Sequence, residues 1–137
     1  MNTPMDQFRT KKALIVEDHP DLRHLLKLQM EVMGFSVISA KRGEEGVEKA
    51  LEEKPHLILM DIMMPGMDGR EATRLIRSNP ETQNIPILAA TVLFRETEHN
   101  SCLDAGCNDI LVKPFTLRQL KKKIEETLIP TASLTIH

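Results

Sequence analysis

Short apolar segments alternate with longer amphipathic segments along almost the whole chain of 137 residues. Residues 13–16, 57–60, 87–90 and 110–112 are continuous apolar runs. Runs of this length without polar alternation are typical of parallel strands covered by helices on both faces. A further segment, 35–40, is partly polar and is typical of an edge strand. The sequence therefore predicts five strands, four of them buried on both sides.

The amphipathic segments between these strands carry the spacing and the end signals of helices. The first begins at Pro20, has apolar residues at helical intervals and is followed by Gly34. The last begins at Thr116, a residue type that caps helix N-termini. We predict helices over 20–33, 43–53, 69–78, 95–105 and 116–127.

This strict alternation of strand and helix predicts an α/β fold with a parallel sheet between two helical layers. The length suits one domain, which we assign to residues 11–128. Residues 1–10 are expected to form an N-terminal tail, and residues 129–137 a C-terminal tail or a truncated linker.

The amino-acid composition excludes some classes of binding partner. The chain has 18 basic and 20 acidic residues, so its net charge of −2 gives no electrostatic basis for binding nucleic acid or an anionic membrane. No segment resembles a membrane span or a secretory signal, so we expect a cytoplasmic protein. Cys102 and Cys107 match no common zinc or redox spacing and are expected to be small apolar packing residues on one helix.

Polar side chains follow four of the otherwise apolar strands. Glu17 and Asp18 follow the first strand, Asp61 the third, Thr91 the fourth and Lys113 the fifth. Each could cap a helix or face solvent in a turn. Together they indicate a site, because they all lie at the edge where parallel sheets bind ligands.

These residue types favour phosphoryl chemistry. Carboxylates gathered in one cleft repel each other unless a cation is present, and oxygen ligands favour Mg²⁺. The ammonium of Lys113 and the hydroxyl of Thr91 suit a tetrahedral anion, and a carboxylate can accept a phosphoryl group as an aspartyl phosphate.

With Glu17-Asp18, the stretch 59–69, Thr91 and Lys113-Pro114-Phe115, the chain closely resembles the receiver domain of bacterial two-component response regulators. The resemblance covers about residues 11–128. It implies a flavodoxin-like (βα)5 three-layer sandwich with strand order 2-1-3-4-5.

The resemblance also implies roles for the acidic residues. Asp61 is expected to accept the phosphoryl group. Asp18, Asp61 and the main-chain carbonyl of Met63 are expected to hold Mg²⁺, with Glu17 acting mainly through a bound water. His19, which follows the acidic pair, is expected to face solvent.

Thr91 and Lys113 are expected to contact the phosphoryl oxygens, and the Lys113–Pro114 peptide bond is expected to be cis, as in this family. Two residues depart from the family pattern. Val92 stands where a small residue is usual, and Ile110 stands where an aromatic residue rotates on activation. We therefore expect the switch to be carried mainly by Thr91 and the loop after it, with little rotation of Ile110.

A receiver is a signalling domain, not an enzyme, and catalyses only its own phosphorylation and dephosphorylation. The expected partners are a histidine kinase or histidine phosphotransfer protein and a downstream output protein or domain, without direct contact to nucleic acid or membrane. Whether the receiver stands alone or belongs to a larger protein is open.

Three alternatives remain at this stage. One is a metal-dependent phosphatase with an aspartate nucleophile, although Met63 occupies the position of its second acid. Another is a degenerate receiver that acts only as an interaction module. The third is a nucleotide- or flavin-binding protein, although no glycine-rich phosphate motif follows the first strand.

Overall fold

The computed structural model describes residues 7–93 and 95–129. Strands and helices alternate through this part of the chain, and each element predicted from the sequence is present with small shifts at its ends. None of the helices described has the length and apolar character to cross a lipid bilayer. The elements are β1 (Lys12–Val16), α1 (Pro20–Val32), β2 (Ser36–Ala40), α2 (Gly43–Glu53), β3 (Leu57–Asp61), α3 (Gly69–Ser78), β4 (Ile87–Thr91), α4 (Glu96–Ala105), β5 (Asp109–Val112) and α5 (Leu117–Leu128).

The strands form one parallel sheet in the order β2-β1-β3-β4-β5, which confirms the flavodoxin-like topology. Alternate residues of each strand enter opposite apolar clusters, as Leu14 and Ile15 do in β1. One cluster includes residues of α2, α3 and α4, and the other includes residues of α1 and α5. The sheet is therefore buried between two helical layers, which explains why its strands are continuously apolar.

Two helices begin close to the carboxyl ends of the strands because polar side chains cap them. His19 precedes α1, and its Nδ1 accepts the Leu22 N–H at 3.3 Å. Asp68 precedes α3, and its carboxylate accepts the N–H of Arg70 at 2.7 Å and that of Glu71 at 3.3 Å. These caps satisfy backbone donors that lack partners within the helix and fix the loops that lead away from β1 and β3.

Cys102 and Cys107 are both free and buried, which confirms the expectation that they are packing residues. The expectation that they share one helix is wrong: Cys102 lies on α4, but the helix ends at Ala105, since Gly106 adopts a left-handed conformation, and Cys107 lies just before β5. Both contribute to the apolar cluster on the side of α2, α3 and α4.

Phe8 packs against the domain, although it lies in the segment 1–10 that we expected to form an N-terminal tail. Its side chain is buried, its ring stacks on that of Phe35 with centroids 4.7 Å apart, and its N–H donates to the Met33 carbonyl at 3.1 Å. A single aromatic residue among polar ones has no periodicity, so the sequence pattern could not reveal this contact. The remainder of the two expected tails, residues 1–6 and 130–137, lies outside the described residues.

Gly69 allows α3 to begin directly against the end of β3. A Cβ atom at Gly69 would meet the Asp61 carbonyl oxygen and the Ile62 Cα, and the Gly69 N–H donates to the Ile62 carbonyl at 2.9 Å.

We expect Gly69→Ala to lower the free energy of unfolding by about 1–3 kcal/mol, because the added methyl group must displace backbone. Urea denaturation measures this loss. The control is Glu71→Ala in the same helical turn, where Glu71 is exposed and the change should stay within about 0.5 kcal/mol. Equal effects of the two substitutions would contradict this account.

Candidate functional site

The carboxyl ends of β1 and β3 bring three carboxylates together. Asp61 is the last residue of β3, and Glu17 and Asp18 directly follow β1, its neighbour in the sheet. Each of the three offers a carboxylate oxygen, and these oxygens lie within 4.8 Å of one another. Such a group of oxygen ligands suits a hard divalent cation.

Two of the carboxylates are held by direct hydrogen bonds. Glu17 Oε1 accepts from Lys113 Nζ at 2.9 Å, and Glu17 Oε2 accepts from the His19 N–H at 3.1 Å. Asp61 Oδ1 accepts from Lys113 Nζ at 3.2 Å and from the Met63 N–H at 3.3 Å. The Lys113 ammonium therefore bridges the ends of β1 and β3 and partly neutralises their charge.

The electrostatic balance of the site leaves Asp61 in an unfavourable environment. Its side chain is buried, and desolvation, together with the negative charge of Glu17, raises the pKa of Asp61 to about 7 despite the opposing effect of Lys113. Burial works against the charge of Lys113, but its hydrogen bond to Glu17 and the charge of Asp61 outweigh burial and raise the pKa of Lys113.

A cavity of about 390 Å³ opens above these groups. Met63 and Val92 stand on its rim and are respectively 54% and 55% exposed, so apolar side chains flank the acidic centre. His19 is exposed and lines the same cavity. The lining residues are Glu17, Asp18, His19, Leu22, Asp61, Met63, Val92 and Lys113.

Thr91 and Ile110 are not among the residues that line this cavity. Thr91 ends β4, is buried, and its Oγ1 accepts the Leu93 N–H at 3.0 Å. Ile110 is buried on β5, pairs with Ala89 of β4 and belongs to the apolar cluster on the side of α2, α3 and α4. The Lys113–Pro114 peptide bond is cis, as the sequence resemblance implied.

Sequence analysis missed one residue of the site, Arg23. Its Nη1 donates to the Glu17 carbonyl at 2.9 Å and to the Asp18 carbonyl at 3.3 Å. Arg23 lies near the start of α1, and helical side chains point toward the N-terminus of their helix. This side-chain direction could have indicated from the sequence that Arg23 reaches back to the turn formed by Glu17 and Asp18, the Glu17–Asp18 turn.

The fold and this constellation of residues define a receiver domain. The chain matches the response regulator receiver domain family over residues 13–125 and belongs to that family. It is therefore a receiver domain of two-component signalling, as the resemblance indicated.

Individual relatives agree with this assignment. The transcriptional regulatory protein ResD of Bacillus subtilis is 36% identical over 133 residues, which cover 97% of this chain and 54% of ResD. The chain thus spans about half the length of this relative.

Two solved structures are also similar. One is the receiver domain of the sensor histidine kinase PA1611 of Pseudomonas aeruginosa, which has a magnesium ion coordinated in its active-site cleft. It is 31% identical to this chain with a TM-score of 0.80, and the match covers 86% of this chain and 97% of the PA1611 receiver. The other is the co-crystal structure of the Saccharomyces cerevisiae histidine phosphotransfer protein Ypd1 with the receiver domain of Ssk1. It matches at 34% identity with a TM-score of 0.81, and the match covers 91% of this chain and 93% of the matched chain.

The raised pKa of Asp61 predicts how stability depends on pH without metal. A carboxyl group whose pKa is higher in the folded than in the unfolded protein destabilises the fold as pH rises from its unfolded value toward about 7. We therefore expect Asp61→Asn to stabilise the metal-free protein more at pH 8 than at pH 5, measured by denaturation in a chelator. Asp104→Asn, at an exposed position of α4, is the control and should show little pH dependence. A benefit of Asp61→Asn that is the same at both pH values would refute the electrostatic account.

Proposed function

We propose that Asp61 accepts a phosphoryl group in a magnesium-dependent reaction, and that phosphorylation changes the affinity of this receiver for a downstream protein or domain. The donor is a histidine kinase or a histidine phosphotransfer protein. The observation that carries the proposal is the position of the buried Asp61 carboxylate between the ammonium of Lys113 and the acidic pair Glu17-Asp18. The complex of Ypd1 with the Ssk1 receiver supports a phosphotransfer protein as the class of donor.

The residues present fit Mg²⁺ because Glu17, Asp18 and Asp61 bring carboxylate oxygens within 4.8 Å of one another, and a hard divalent cation prefers oxygen ligands. In this proposal Asp18, Asp61 and the main-chain carbonyl of Met63 hold the ion, and Glu17 contacts it through a water molecule. The bound ion supplies positive charge that offsets repulsion between the carboxylates and the incoming phosphoryl group. The magnesium ion in the PA1611 receiver supports this assignment.

Phosphoryl transfer requires positioning and charge neutralisation more than covalent assistance. Asp61 Oδ1 already accepts two hydrogen bonds, whereas Oδ2 accepts none within the described part of the chain, so Oδ2 is the oxygen we assign as nucleophile. The Oδ2–phosphorus bond forms as the bond between phosphorus and the donor nitrogen breaks. Lys113 and Thr91 then contact the oxygens of the phosphoryl group.

We assign the receiver unit to residues 11–128 and the flanking segments to tails or linkers, with Phe8 of the N-terminal segment packed on the domain. Its chemistry is limited to its own phosphorylation and dephosphorylation, because Met63 offers no second acid for turnover of other phosphate esters. The two free, buried cysteines agree with a reducing cytoplasmic location.

The assignment of Asp61 is tested by intact-mass spectrometry after incubation with acetyl phosphate and Mg²⁺. We expect the wild-type chain to gain one phosphoryl group that hydroxylamine removes, and Asp61→Asn to gain none, because the amide is not a nucleophile. Asp104→Asn should be labelled like the wild type. Normal labelling of Asp61→Asn would place the acceptor elsewhere.

We further propose that Thr91 is the main switch residue and that Ile110 contributes little. The Thr91 hydroxyl accepts the Leu93 N–H, so a movement of Thr91 toward a phosphoryl group is linked to the loop after β4. Ile110 has a β-branched side chain with restricted rotation and no polar end that would favour solvent over the core. Its burial among apolar neighbours supports a side chain that stays in place.

The relative roles of Thr91 and Ile110 can be separated by substitution. Thr91→Ala should be phosphorylated but should bind the downstream partner with little gain in affinity, since the hydroxyl that follows the phosphoryl group is lost. Ile110→Val should leave labelling and the affinity gain nearly unchanged. Methyl NMR of Ile110 with and without beryllofluoride is the direct measurement, and two different Ile110 rotamers would show that an aliphatic residue carries the switch.

A further inference from the structure

Asp18 differs from the other two carboxylates of the site. Glu17 and Asp61 each accept hydrogen bonds from Lys113 and from a backbone N–H. The carboxylate of Asp18 is exposed and accepts no hydrogen bond from any residue that the structure describes. Its position therefore depends on the main chain that carries it.

That main chain is held by Arg23. The single nitrogen Nη1 donates to the carbonyls of Glu17 and Asp18, at 2.9 Å and 3.3 Å, so it bridges the two peptide units that flank Asp18. The Arg23 side chain is half-buried, and the Arg23 N–H also donates to the His19 carbonyl at 2.9 Å. Arg23 thus contacts the turn at successive carbonyls, and it makes no hydrogen bond or ion pair with a carboxylate of the described residues.

We propose that Arg23 is a positioning residue that fixes the Glu17–Asp18 turn and so presets Asp18 for a divalent cation. This inference rests on the proposed magnesium-dependent function and assigns a role to a residue outside the ligand set. Groups around a ligand set orient it and often tune metal affinity as strongly as a ligand does. Ordering Asp18 before the cation arrives lowers the entropy lost on binding.

Whereas the positioning of Asp18 by Arg23 favours cation binding, the positive charge of Arg23 disfavours it. Two like charges near each other repel, so charge alone makes Arg23 weaken Mg²⁺ binding. The two effects can be separated, because lysine keeps the charge but has a shorter side chain and lacks the planar fork of donors. Methionine at this position removes both the charge and the donors while keeping a helix-forming, unbranched chain.

The experiment compares Arg23→Lys and Arg23→Met with the wild type. Mg²⁺ is titrated into ¹⁵N-labelled protein, and the dissociation constant is read from the amide resonances of Asp18 and His19. NMR suits this chain because it has no Trp or Tyr for intrinsic fluorescence. The free energy of unfolding in a chelator is measured for each protein. Lys27→Met is the matched control, since Lys27 lies one turn further along α1 and pairs with Glu31 at 3.9 Å.

We expect Arg23→Lys to bind Mg²⁺ about fivefold more weakly than the wild type, the scale of one hydrogen bond. The affinity of Lys27→Met should match that of the wild type. Unchanged affinity in Arg23→Lys together with tighter binding by Arg23→Met would show that Arg23 acts through charge alone and would overturn the proposal.

Lower stability of both Arg23 variants without any change in Mg²⁺ affinity would show a purely structural role and would also overturn the proposal. If Arg23→Met does not fold, Arg23→Lys still decides the outcome. A wild-type chain that does not bind Mg²⁺ would refute the magnesium-dependent function itself, whereas normal wild-type binding with unaffected variants refutes only the role of Arg23.

Discussion

The parallel pairing of β1 with β3 is the constraint on which the core and the site both depend. Parallel strands end at the same edge of a sheet, so this pairing places Glu17 and Asp18 beside Asp61. The same strands are apolar on both faces and bury two clusters of side chains, one on each side of the sheet. A rigid, fully covered sheet therefore holds carboxylates in a proximity that their mutual repulsion would otherwise prevent.

The electrostatics of the site show that this proximity of the carboxylates is unfavourable. Lys113 is the one ammonium that contacts the acidic centre within the described residues, and it serves Glu17 and Asp61 together. Desolvation still raises the pKa of Asp61, so the centre is incompletely compensated. Under the proposed magnesium-dependent function, a bound cation would stabilise a site in this state and would compensate charge where the phosphoryl group arrives. The carboxylates that suit a cation in the proposed function therefore lower the stability of the metal-free fold.

The surroundings of the site connect it to the rest of the domain. Thr91 ends β4, next to β3 in the sheet, and its hydroxyl accepts the Leu93 N–H, so Thr91 is bonded to the loop that leads into α4. Gly69 ties the start of α3 to the end of β3, because its N–H donates to the Ile62 carbonyl at 2.9 Å. Similar receiver domains occur in a sensor histidine kinase and in a complex with a histidine phosphotransfer protein.

The sequence alone determined the elements of this fold and the residues at the ends of its strands. Those features follow from local periodicity, helix-end signals and the position of polar residues directly after apolar runs, all of which are visible in short windows. Strand order came only from the family resemblance. Tertiary structure alone decided that Phe8 stacks on Phe35, that Lys113 bridges Glu17 and Asp61, and that Arg23 holds the acidic turn. The distances and directions of these contacts depend on how the chain packs around the sheet, which no local pattern encodes.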